Sequence, residues 1–142
     1  MPTDACILAA SQTFRRAIDR AGQEPWRAKH IEFPRGACGH AAELLAFYLR
    51  KRLAITPEYV SQSSWERSIG GWTGCHAWLE WHGLIIDISG DQFGWPPVIV
   101  TREPEHHGRG GETIRTKALC DMDWWARECG GLWSAISPFL PA

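Results

Sequence analysis

Cys38, His76 and Asp87, in that order, are the residues of this chain whose types and surroundings suit covalent chemistry. A thiol becomes a useful nucleophile when a base takes its proton and a third group orients the base. Cys38 follows FPRGA and opens the apolar run CGHAAELLAFYLRKRL, which predicts a helix over 38–53. In that helix Ala41, Leu44, Leu45 and Tyr48 form one stripe, and Ala42, Ala46, Leu49 and Leu53 widen it into a largely buried surface. The start of a helix has partial positive charge and unpaired N–H groups. The first favours a thiolate and the second can donate to an oxyanion. Gly36 and Gly39 flank the cysteine and let backbone and substrate come close. Taken alone, a cysteine there reads as a small buried core residue; the histidine and aspartate change that reading.

Those two residues come from a predicted hairpin. Cys75–Trp81 and Leu84–Ser89 are strand-like runs around His82-Gly83, a two-residue connection that suits a tight turn. Pairing Trp81 with Leu84 sets Leu79 against Ile86. His76, Trp78 and Glu80 then share a face with Ile85, Asp87 and Ser89. Asp87 becomes the diagonal neighbour of His76, roughly 7 Å away between Cα atoms. A carboxylate at that place can hold one imidazole nitrogen and leave the other for Cys38. The opposite face, with Ala77, Leu79, Trp81, Leu84, Ile86 and Ile88, is apolar and also needs covering. An aspartate in a buried sheet requires a partner. A purely structural His–Asp pair would satisfy that requirement too.

The rest of the chain supplies elements to position these groups. Thr3 and Asp4 cap a predicted helix running to about Ala21, with Gly22 as its stop. Residues 23–36, with Pro25, Pro34 and Gly36, read as an irregular connection. A strand is expected over Glu58–Ser63, a glycine-bearing loop over 63–74 and another strand over Pro97–Thr101. Residues 102–112 read as a polar, mobile loop. A last helix over Cys120–Cys129 is expected to stop before Gly130-Gly131, followed by a tail in which Trp133, Ile136 and Phe139 dock on the body. No repeat or linker divides the 142 residues, so one domain spanning 1–142 is expected.

At this point the sequence resembles the papain-like superfamily in its transglutaminase-like branch, which includes transglutaminases, related cysteine peptidases and arylamine N-acetyltransferases. The resemblance rests on FPRGACGHA around Cys38, CHAWLEWHG around His76 and LIIDISGDQF around Asp87. It covers about residues 33–94. It implies an α+β fold in which an N-terminal nucleophile-bearing helix packs on an antiparallel sheet. It also implies Cys38 as nucleophile, His76 as general base and acid, and Asp87 as the orienting residue. The substrate would be a peptide or amide, possibly within a protein, handled through a thioester without a cofactor. Glu32 stands where papain itself has a glutamine. Gln92 is therefore the candidate for the second oxyanion donor, although within GDQF it reads equally as a turn residue. Hydrolysis and acyl transfer both stay open, as does a non-catalytic binding domain keeping the three residues for structure. An amidase of bacterial effector or defence type, acting on cell-wall peptide, is compatible with the size.

Other residues are weighed against blander roles. Trp65, Trp72 and Trp95, in predicted loops, would line a substrate cleft or cap the core edges. Trp78 shares the His76 face and is expected to pack under the helix that bears Cys38. Cys75 is expected in the core, His40 as a wet first-turn residue rather than a second base or substrate contact, and the loop pair His106-His107 as incidental rather than a lid or a metal site. No metal site is expected, because CxxC and HExxH spacings are missing. A net charge of −1 with scattered basic residues argues against nucleic-acid binding. No run of 18 apolar residues predicts a membrane span. The five cysteines are irregularly spaced and no N-terminal signal is seen, which favours free thiols in the cytoplasm. Export by a route without such a signal stays open. The sequence does not fix the oligomeric state.

Overall fold

The structure is a computed structural model and describes residues 1–63, 75–108, 112–118 and 122–142. It is an α+β fold in which helices cover one face of an antiparallel sheet. Helix α1 spans Asp4–Ala21; Thr3 caps it by accepting from the Cys6 N–H at 3.1 Å, and Gly22 ends it with φ at 77°. The connection that follows holds a short helix, α2 (Glu24–Arg27), inside the stretch expected to be irregular. Helix α3 spans Cys38–Leu53. The helix bearing the candidate nucleophile is thus third in the chain, after α1 and the short α2.

The strands are β1 (Glu58–Gln62), β2 (His76–Trp81), β3 (Leu84–Asp87), β4 (Ile99–Thr101) and β5 (Thr113–Lys117). Their order across the sheet is β4-β3-β2-β1-β5, with every neighbour antiparallel. The β2–β3 register is the expected one, with Leu79 opposite Ile86 and Trp81 opposite Leu84. His82 and Gly83 both take positive φ, 48° and 81°, as a type I′ turn demands. Strand β5 goes unanticipated because Thr-Ile-Arg-Thr-Lys is exposed throughout and shows no apolar alternation. Helix α4 covers Met122–Ile136 and runs through Gly130-Gly131 instead of stopping there. The loss of helix propensity at two glycines is outweighed by burial of Cys129, Leu132 and Ile136 along one stripe. Phe139, expected to dock, is 45% exposed.

The main core lies between the sheet and α1, α3 and α4. It joins Ile7, Phe14 and Ile18 to Leu44, Leu45 and Leu49, to Leu132 and Ile136, and to Leu79, Leu84, Ile86 and Ile88 of the sheet. A smaller cluster on the other face gathers Val60, Trp78, Ile85, Phe93 and Trp95. Trp78 therefore sits on the face turned away from the helices, not under α3. Alternation along β2 requires this, since Leu79 is committed to the main core.

Arg15 ties α1 to the segment after β3. Its guanidinium donates to the Ile88 carbonyl at 2.9 Å, to both carboxylate oxygens of Asp91 at 2.9 and 2.7 Å, and to the Pro97 carbonyl at 3.2 Å. It also lies over the Phe33 ring. Burial alone would weaken this cation, but Asp91 and Asp19 more than offset that. Arg15→Met keeps the apolar stem but leaves these acceptors unpaired. It is expected to lower stability by about 2–3 kcal/mol in equilibrium urea unfolding.

Candidate active site

Cys38 is the first residue of α3, and the helix starts there without a side-chain cap and with no acidic residue in its first turn. The first ladder bond runs from the Ala41 N–H to the Ala37 carbonyl at 2.8 Å. The N–H groups of Cys38, Gly39 and His40 therefore precede the helical ladder and face outward from its positive end. Gly39 lets β1 approach: a Cβ there would lie 3.1 Å from the Tyr59 hydroxyl. Burial first, and then the neighbouring Cys38 and Glu43, push the Tyr59 phenol well above its usual range, so it stays a neutral donor.

His76 opens β2 and is completely buried, and Asp87 closes β3 at 1% exposure. The His76 Nε2–H donates to Asp87 Oδ2 at 2.7 Å. Cys38 lies close enough to His76 to be among the groups that raise it. With Nε2 committed to Asp87, Nδ1 is the nitrogen left for the thiol. The Gln92 amide nitrogen lies 3.4 Å from that same Nδ1 and donates to the Ser89 carbonyl at 3.1 Å. Gln92 comes from the 3₁₀ turn Gly90–Phe93, the segment that Arg15 clamps. Aromatic rings frame the imidazole. Phe93 meets it edge-on at 4.9 Å, Trp95 at 5.6 Å, and Trp78 lies 5.6 Å away.

Asp87 has more partners than expected. Oδ1 accepts from the Ser89 N–H at 2.9 Å, and Oδ2 accepts a second bond, from His107 Nε2, also at 2.7 Å. Gly90 makes room for this packing, since a Cβ there would stand 3.0 Å from the Trp95 ring and 3.4 Å from Asp87 Oδ2. Burial would raise the Asp87 carboxyl, but the His76 charge and then the His107 hydrogen bond hold it well below the usual carboxylate range. Burial would likewise lower His76, yet the Asp87 charge and hydrogen bond, with help from Cys38, raise it to about 9.

Cys38, His76, Asp87 and Gln92 thus come together. Trp95 is buried beside them and Trp78 backs the imidazole, whereas Trp65 and Trp72 lie outside the described residues. Cys75, expected in the core, is exposed because it precedes the first paired residue of β2. His40 turns to α4 instead of water, with Nε2 3.1 Å from Glu128 Oε1 and its ring against Trp124. Glu32 is exposed and pairs with Arg27. His107 is the residue that sequence reasoning missed; only the doubled histidine in a glycine-bearing loop marked it. It is 4% exposed, so the loop from residue 102 to 108 is anchored where mobility was expected.

The ring nitrogens of His76 and His107 and the Asp87 oxygen lie within 4.8 Å of one another, a donor set that could hold a divalent transition metal. The same atoms lie at hydrogen-bonding distance, both imidazole Nε2 atoms being 2.7 Å from Asp87 Oδ2. Among the described residues, no helix is long and apolar enough to cross a membrane. Fold and site together define an α+β protein with a buried His–Asp pair beside a helix-initial cysteine. Comparison of the chain with protein-family models, with curated proteins and with solved structures gives no match.

Proposed function

We propose that this protein is a cysteine-dependent amide or peptide hydrolase, or an acyl transferase, with a papain-like fold of the transglutaminase-like branch. The observation that carries the proposal is the buried His76, held by Asp87 through Nε2 at 2.7 Å, with Cys38 near enough to help raise it. The thiol proton passes to Nδ1 and the sulfur attacks the substrate carbonyl carbon, forming a C–S bond and an oxyanion. The N–H groups at the start of α3 would donate to that oxyanion, and the Gln92 amide, 3.4 Å from His76 Nδ1, is the side-chain candidate for a second donor. The intermediate collapses as the C–N bond breaks and His76 gives its proton to the departing amine. Water or another amine then attacks the thioester, giving up its proton to His76 and returning the thiol.

A second reading, a binding domain with a structural Cys–His–Asp cluster, draws support from one feature. Cys38 is only 8% exposed and His76 is not exposed at all. Iodoacetamide labelling, followed by peptide mass spectrometry across pH, separates the two. An active pair labels at Cys38 fast well below about pH 8, where an ordinary thiol is mostly protonated, and His76→Ala removes that reactivity. Slow, ordinary labelling at Cys38 in the folded protein would favour the binding domain.

A further inference from the structure

Asp87 Oδ2 accepts from two imidazoles at the same distance, 2.7 Å, although orienting His76 needs only one such bond. The second imidazole is built in. His107 is 4% exposed, its ring meets Trp78 at 4.8 Å and Trp95 at 5.3 Å, and neighbouring His106 stacks on Trp95 at 4.7 Å. Loop residues are ordinarily solvated. Burying a histidine against a buried carboxylate has to be matched by the bond it makes.

We propose that His107 is a positioning residue of the triad: by donating to the oxygen that holds His76, it fixes the carboxylate and draws part of its charge away from His76. This rests on the catalytic reading above. Asp87 then has donors on both oxygens, His76 and His107 on Oδ2 and Ser89 on Oδ1, and cannot swing. Among the described residues, the titratable groups facing the carboxylate are His76 on β2 and His107 on the loop after β4, while Cys38 at the start of α3 acts on His76. A histidine that clings to its proton too tightly is a poor acid for the leaving amine, and catalytic acids work best when matched to the working pH. Sharing Asp87 tempers His76 in that direction.

The test uses the full chain, with ¹⁵N-histidine NMR across pH and the rate of Cys38 alkylation. Wild type should show hydrogen-bonded Nε2 protons on both His76 and His107; an unprotonated His107 Nε2 overturns the proposal without any variant. In His107→Leu, Asp87 no longer shares its charge, and the His76 titration midpoint and the alkaline end of the alkylation profile should both move up by roughly half a pH unit or more. In His107→Gln, whose amide N–H can reach the same oxygen, both should return toward wild type. If wild type alkylates fast in a His76-dependent way but the variants leave the His76 midpoint unmoved, His107 is a packing residue and the inference fails alone. Slow alkylation in wild type removes the catalytic reading beneath it. Stoichiometric zinc in the purified protein, lost in His107→Leu, would also overturn the proposal by assigning the imidazole to an ion.

Discussion

Asp87→Asn is expected to slow Cys38 alkylation near neutral pH by roughly a hundredfold or more while leaving the fold intact. Asparagine's one carbonyl oxygen can still accept from His76 Nε2, with its amide nitrogen turned toward Ser89, so the bond to His76 survives and the charge does not. His76 is raised to about 9 against burial that would lower it, and Asp87 supplies the largest part of the opposing effect. Without that charge His76 returns to or below its ordinary 6.5. Each unit of that fall is a tenfold loss in the equilibrium that moves the thiol proton to Nδ1. The alkaline limb of the alkylation profile should also move down, opposite to its movement in His107→Leu.

Stability changes with pH in a matching way. His76, raised in the folded state, contributes stability that is fully present below 6.5 and is lost as pH rises through about 9. Asp87, lowered on folding, contributes stability above the ordinary 3.8 that is lost as pH falls below it. The stability of wild type against urea should therefore fall between about pH 6.5 and 9, and Asp87→Asn should flatten that window. An unchanged alkylation profile in Asp87→Asn would mean that the carboxylate does not tune the pair.

Phe14→Ala carries the second large effect, this time on stability. Phe14 is fully buried and stacks on Tyr48 at 5.1 Å and Trp133 at 6.1 Å, so one ring joins α1, α3 and α4. Removing it opens a cavity among three rigid elements that cannot close over it. The expected loss is about 3–5 kcal/mol, which lowers Tm on the order of 10 °C in a domain of this size. Calorimetry checks the magnitude; a loss under about 1 kcal/mol would mean that the helices repack. Because Phe14 lies on the helix side of the sheet, the His76–Asp87 bond on the other side should persist in whatever fraction stays folded.

Much of this arrangement is legible in the chain because short-range rules determine it. The stripe over 38–53 gives α3 its full span, and His82-Gly83 gives the hairpin its register and hence the shared face of His76 and Asp87. Long-range choices are not legible. Nothing near residue 107 says that its ring will be buried against residue 87, since the polar loop between β4 and β5 carries no periodicity. Gly130-Gly131 reads as a stop by local propensity, yet the apolar stripe continuing through Leu132 and Ile136 overrides it. For Trp78 the local rule is enough: the alternation that commits Leu79 to the main core directs Trp78 to the other face, away from α3.

The His82-Gly83 turn has a consequence for how this chain can change over time. His76 and Asp87 are eleven positions apart across the shortest kind of hairpin. Inserting or deleting a single residue between them would rotate one partner to the opposite face and deliver a carboxylate or an imidazole into the oily side of the sheet. Length changes here are thus nearly forbidden to evolution. The interval itself, more than the identity of the residues within it, is the trait by which distant descendants of this hairpin could be traced.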